Sequence, residues 1–227
     1  MSAGQHANRS GKSVYLLMGA MVLGGAATVA DASFLVPGGT LAPVPAEADL
    51  PGGVVVDGGV ALPFAGVGYT GTLTTTVFTG DISNPFGINR LTFAYLLTND
   101  ASSAHVLHRL TITDFVTALT DVSYQSTSTG VVPSFADRST TDVIGFQFQN
   151  LLGGSEIDPG MQSRLLVVQT DATTYAPTIA TVIDGSSANV ASFAPSAAVG
   201  IPEPGSAALL GTAGAALLAR RRRRRCA

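Results

Sequence analysis

The sequence has no tryptophan, a single cysteine and, between Ser33 and Ile201, no lysine. Each lack narrows what the chain can be. The one cysteine, Cys226, is the penultimate residue, so the body has no disulfide and must be stabilised by its core, by bound cations or by assembly. Without tryptophan, and with aromatics at 7%, a platform for stacking sugar rings finds little support. The lysine-free body sets 13 acidic residues against Arg90, Arg109, Arg138 and Arg164, a balance of −9 that repels phosphate backbones and argues against a nucleic-acid partner. Long apolar runs are scarce too. Although 46% of the 227 residues are hydrophobic and only 12% charged, the apolar residues of the body are dispersed among Thr, Ser and Gly, and sustained runs occur only at the two ends.

The N-terminal run has the grammar of a secretory signal peptide. Arg9 and Lys12 supply the positive start, and the stretch from Val14 to Ala27 supplies an apolar segment that is short and Gly-rich for a permanent span. Cleavage fits best after Ala32, because the peptidase takes small side chains at the positions of Ala30 and Ala32, leaving Ser33 as the new N-terminus. The alternative is an uncleaved anchor. At the other end, Pro202, Glu203 and Pro204 precede an uncharged segment from Gly205 to Ala219, then Arg220, Arg221, Arg222, Arg223, Arg224 and Arg225. Fifteen helical residues rise about 22 Å, short of a hydrocarbon core of about 30 Å. The segment therefore spans only by thinning the bilayer or by its arginines reaching for the interface. Arginine is costly to move across a bilayer, so the block is expected to stay cytoplasmic as a stop, leaving the body outside and Pro202 to Pro204 near the outer face. Two other readings stand beside this one: an ordinary tail anchor, and a basic nucleic-acid or localisation patch behind a buried helix.

This order of Pro-Glu-Pro, apolar stretch and arginine block, from Pro202 to Ala227, resembles a PEP-CTERM sorting signal. The resemblance implies an exosortase substrate: a membrane-embedded cysteine transpeptidase recognises the Pro-Glu-Pro region, cuts near it, and releases or re-attaches the body. Signal peptidase and exosortase are then the processing partners and the inner membrane a transient one, as with lipid-anchor signals whose hydrophobic tail is discarded. Such tails are associated with bacteria that have an outer membrane and make exopolysaccharide or biofilm, which makes exopolysaccharide the expected neighbour. Gly205 stands where Ser or Ala often follows the motif.

Four regions are expected: a signal peptide over 1–32, a Gly/Pro-rich extended arm over 33–69 with one short strand at Val54 to Val56, an all-β ectodomain over 70–200, and the sorting signal over 201–227. Leu91, Phe93, Tyr95 and Leu97 alternate with Thr92, Ala94, Leu96 and Thr98 and stop at Asn99-Asp100, the pattern of a strand with one strongly apolar face. Weaker strand signals mark Gly71 to Thr79, Val106 to Phe115, Val122 to Gln125, Val143 to Gln149, Arg164 to Thr170 and Thr178 to Ile183. Seven or more short strands without an amphipathic helix predict an antiparallel β-sandwich-like domain, flanked by the signal helix and a short C-terminal transmembrane helix. Beyond the tail, the sequence from Gly71 to Val77 through Leu91 to Tyr95, Asp158 to Gly160 and Leu165 to Asp171 as far as Val182 to Gly185 is loosely similar to ectodomains that precede such tails, which implies a fold type and no particular activity.

Chemistry is sparse in the body. No Gly-x-Ser-x-Gly elbow, phosphate-cradling loop or zinc-protease helix occurs, so the chain is not expected to be an enzyme and no catalytic or metal residue is assigned. His105 and His108, if on one strand, would point to opposite faces and could not chelate one metal. No cofactor is expected; the loops Asp137 to Asp142 and Glu156 to Gly160 gather oxygen ligands of the kind calcium takes, but neither has an EF-hand spacing, and the other reading is Asp residues that cap turns and stay solvated. The expected role is structural or interactive, at the cell surface or in the extracellular matrix. A polysaccharide-modifying hydrolase and a carbohydrate-binding module are the alternatives.

Overall fold

Alternation of apolar and polar side chains, broken by Gly, Pro, Asn and Asp, gives twelve strands and no helix among the residues that the computed structural model describes, 34–41, 46–47, 53–149 and 155–196. In chain order the strands are β1 (Thr40–Leu41), β2 (Ala46–Glu47), β3 (Val54–Gly66), β4 (Tyr69–Thr79), β5 (Thr92–Asn99) and β6 (Arg109–Ile112). There follow β7 (Thr120–Gln125), β8 (Phe135–Arg138), β9 (Ile144–Gln147), β10 (Leu166–Thr170), β11 (Tyr175–Asp184) and β12 (Ser186–Pro195). One sheet has the order β2-β7-β10-β5-β4-β3, the other β1-β8-β9-β6-β11-β12. Every pairing is antiparallel except the short β2/β7 pair, which is parallel.

The two sheets share one core. Leu73, Val77, Phe93, Tyr95, Leu97, Val122, Leu166 and Val168 from the first meet Leu110, Ile112, Phe146, Val182 and Val190 from the second. Each such side chain contributes about 1.5–3 kcal/mol by leaving water. Phe93 and Phe115 meet edge to face with ring centroids 6.0 Å apart. Polar groups that reach the interface are paired across it: Thr75 Oγ1 and Ser192 Oγ lie 2.9 Å apart, and the Tyr95 hydroxyl donates to the Phe193 carbonyl at 2.9 Å. Burial holds that phenol well above its ordinary pKa, so it stays protonated as a donor.

The short strand expected at Val54 to Val56 is the start of the 13-residue β3, an edge strand of the first sheet. Its glycines are taken up by register shifts between Val55 and Asp57 and between Gly58 and Ala61. Gly58 is required there, since its φ is +87° and an added Cβ would lie 2.1 Å from the Thr75 carbonyl oxygen. These bulges, Pro63 and Asp57 also blunt the exposed edge against pairing with another chain.

The expected strands over Gly71 to Thr79, Val122 to Gln125, Arg164 to Thr170 and Thr178 to Ile183 coincide with β4, β7, β10 and β11 to within a few residues. The one at Val106 to Phe115 is shorter than expected: β6 covers only Arg109–Ile112, and His105 and His108 precede it in a loop. Thr92 and Ala94, on the face of β5 turned away from the core, are buried as well. The 80–91 loop lies over Thr92: Asp81 accepts the Thr92 hydroxyl at 2.8 Å and the Gln169 amide at 2.9 Å. The signal cleavage residues Ala30, Ala32 and Ser33, the motif Pro202 to Pro204, the arginine block and the two expected terminal helices lie outside the described residues. Among the described residues no helix is long and apolar enough to cross a membrane.

Candidate functional site

At one end of the described body the β3–β4 turn, the 100–108 loop, the 155–158 segment and the β11–β12 turn converge on a cluster of ionisable side chains. Asp184 ends β11 immediately before Gly185, whose φ of +61° lets the chain reverse into β12. The backbone of His108 is pinned by bonds from its N–H to the Ile183 carbonyl at 3.3 Å and from the Phe148 N–H to its own carbonyl at 2.7 Å. Leu107 and Ile157 exchange two backbone bonds, which brings Glu156 alongside. Gly68 leaves room for the His105 ring, because a Cβ on it would come within 2.7 Å of that imidazole.

The result is a chain of four side chains. Asp184 Oδ2 lies 3.1 Å from His105 Nδ1, Asp184 Oδ1 lies 2.8 Å from His108 Nδ1, and His108 Nε2 lies 3.3 Å from Glu156 Oε1. One mostly buried carboxylate thus orients two imidazoles, and His108 stands between two acids. The spacing argument for opposite faces does not apply, since neither histidine is on a strand. Their common partner, Asp184, is 79 residues from His105 in sequence and arrives through the β6/β11 pairing.

The Asp184–His108 contact reproduces the acid-and-imidazole half of a nucleophilic triad, but the outer nitrogen of His108 meets Glu156 where such a triad would place a hydroxyl. Nearby hydroxyls are engaged elsewhere: Ser186 Oγ accepts from the Val67 N–H at 3.1 Å, and Ser103 Oγ donates to the Thr70 carbonyl at 2.9 Å. Among the described residues no group of three His, Cys, Asp or Glu side chains is arranged to hold a metal ion. In the calcium-suited loops, Asp137 gives both oxygens to Arg109 at 2.6 Å, and Glu156 faces His108. Ser139 Oγ accepts the backbone N–H groups of Thr141, Asp142 and Val143.

The opposite end is built differently. Ala136 and Arg138 face inward from β8, and Arg138, 4% exposed, is the core's one charged intrusion from that strand. Its Nη1 donates to the Ala118 carbonyl at 2.9 Å, the Thr120 hydroxyl at 3.1 Å and the Leu35 carbonyl at 3.4 Å, and its Nη2 donates to the Phe115 carbonyl. Burial lowers its pKa and the charge of Asp171 partly restores it. The guanidinium clamps the 113–119 loop to the segment that begins at Phe34. Around it lies an open cavity of ≈ 270 Å³ lined by Phe34, Val36, Val116, Leu119 and Arg138.

No family model matches this sequence, and neither a curated protein nor a solved structure matches it.

Proposed function

We propose that the chain is an exported protein whose signal peptide is removed after Ala32 and whose tail is processed by an exosortase at Pro202 to Pro204. On this reading the two facing sheets are a sandwich-like ectodomain, delivered to the cell surface or extracellular matrix among exopolysaccharide. The observation that carries it is the order of the last 26 residues: a Pro-Glu-Pro motif, an uncharged stretch too short for a comfortable span, and six arginines that resist translocation. The acidic, lysine-free body supports an extracellular setting, and the blunted β3 edge suits a domain displayed at high local concentration.

The domain acts by being placed and by what it contacts, with no catalysis and no resident cofactor. Among the described residues the His105–Asp184–His108 cluster comes nearest to a triad, and there an acid occupies the nucleophile's position. Replacing Glu203 by alanine, or deleting the arginine block, is expected to leave a larger, inner-membrane-bound form in fractionated cells of an exosortase-bearing host. Processing that goes on unchanged in both variants would remove the sorting reading.

A further inference from the structure

The strand directions carry both ends of the described body to the same pole. Phe34 pairs with Asp121 at the start of β7, and β12 runs out at Pro195. Val116 and Thr117 line the cavity beside Phe34 and also a second one, ≈ 230 Å³, whose wall includes Pro195 and Ser196. The chain therefore leaves for its tail from beside the 113–119 loop, at the pole away from the histidine cluster. This pole presents apolar tips: Phe34 is 54% exposed, Val36 61%, Val116 55% and Leu119 60%. Two carboxylates stand among them, exposed Asp114 and half-buried Asp171, and both are engaged by local donors. Asp114 Oδ2 accepts the Thr113 and Thr178 hydroxyls, and Asp171 Oδ1 accepts the Leu119 N–H at 2.9 Å. Arg138 is spent on carbonyls below the surface.

We infer that this apolar pole rests on the outer leaflet of the membrane while the tail is uncut, and lets go when the tail is cut. The inference rests on the tail reading above. Only residues 197–201 separate Ser196 from Pro202, so the connection reaches at most about 20 Å. With Pro202 to Pro204 at the outer face, the pole is confined beside lipid at an effective concentration on the order of millimolar. Four half-exposed aliphatic and aromatic tips match the boundary between headgroups and acyl chains, where apolar area drives shallow insertion and the exposed Asp114 beside Val116 stays at headgroup level. Such contact is weak on its own. It holds through the tether, and it positions the cleavage motif close to the bilayer in which an exosortase works. Severing the tether removes the confinement, so the same pole that seats the precursor does not retain the product.

The lack of tryptophan makes the test clean, since one introduced indole reports alone. The full chain is exported by a host without an exosortase, purified from its membrane and reconstituted into phosphatidylcholine/phosphatidylglycerol vesicles with plain or brominated acyl chains. Val116→Trp and Leu119→Trp are the probes. Val67→Trp is the reference: Val67 is 75% exposed at the β3–β4 turn, and the 11-residue β4 separates the two poles by about 34 Å. The inference expects emission from both probes to fall by half or more in brominated vesicles, with the reference unchanged. Chains that float with the vesicles while neither probe is quenched overturn the inference and leave the tail reading intact. Chains that are not recovered with membranes remove both. Probe emission that shifts to the blue without vesicles, in proportion to protein concentration, means that a second copy covers the pole, which also overturns it.

Discussion

Arg138 points into the protein because strand alternation puts it on the same side of β8 as Ala136, and there its guanidinium finds carbonyls where a carboxylate would be usual. It donates to four acceptors. Substitution by methionine keeps most of the volume but strands the carbonyls of Phe115 and Ala118, each costing about 1–3 kcal/mol when left buried without a donor. Arg138→Met should therefore lower the stability to denaturant by about 3 kcal/mol or more. Lysine should rescue only part of this, because an ammonium cannot reach a fan of acceptors as a guanidinium does. A midpoint for Arg138→Met equal to that of the parent would contradict the clamp. None of this was legible in the sequence, where Arg138 counts only as one of four body arginines. The histidine cluster was equally hidden. A spacing of three residues describes a strand, whereas the geometry depends on a loop and on Asp184, which no local pattern links to His105.

Strands with strong alternation were legible, and those made of small residues were not. The β5 pattern of Leu91, Phe93, Tyr95 and Leu97 stands out because large apolar side chains recur every second position. By contrast, β12 alternates Ala188, Val190, Ser192 and Ala194 inward against Ser187, Asn189, Ala191 and Phe193, too little contrast to announce a ten-residue strand. Its small residues are what the close approach to β3 and β4 needs. Of the 13 residues of β3 only Val54 to Val56 read as strand in the sequence, because Gly58 and Gly59 look like a break; bulges convert that break into continued pairing. Gly58→Val should accordingly destabilise the protein by about 2–3 kcal/mol, from the left-handed backbone and the clash with Thr75. Gly59→Ala should cost less, since nothing lies within 4 Å of its added Cβ. Thermal or denaturant unfolding of the two variants would check the order, and equal losses would argue against the bulge geometry.

At the scale of the whole molecule the chain divides into an all-β body whose architecture follows from its strand pattern and two ends whose meaning lies in their order of charge and hydropathy. The fold gives the body two unlike poles, one with His105, His108, Asp184 and Glu156, the other with the apolar tips and the exit toward the tail. Fold class was readable because alternation is local. The poles were not, because they depend on which loops the sheet topology gathers at each end. The central claim is that the tail is a removable address. It is tested most directly by the intact mass of the mature protein recovered from outside the inner membrane of an exosortase-bearing host. The account predicts a chain that begins at Ser33 and ends near Pro202 to Pro204, with or without an attached group. A chain that still carries the arginine block and ends at Ala227 would contradict it.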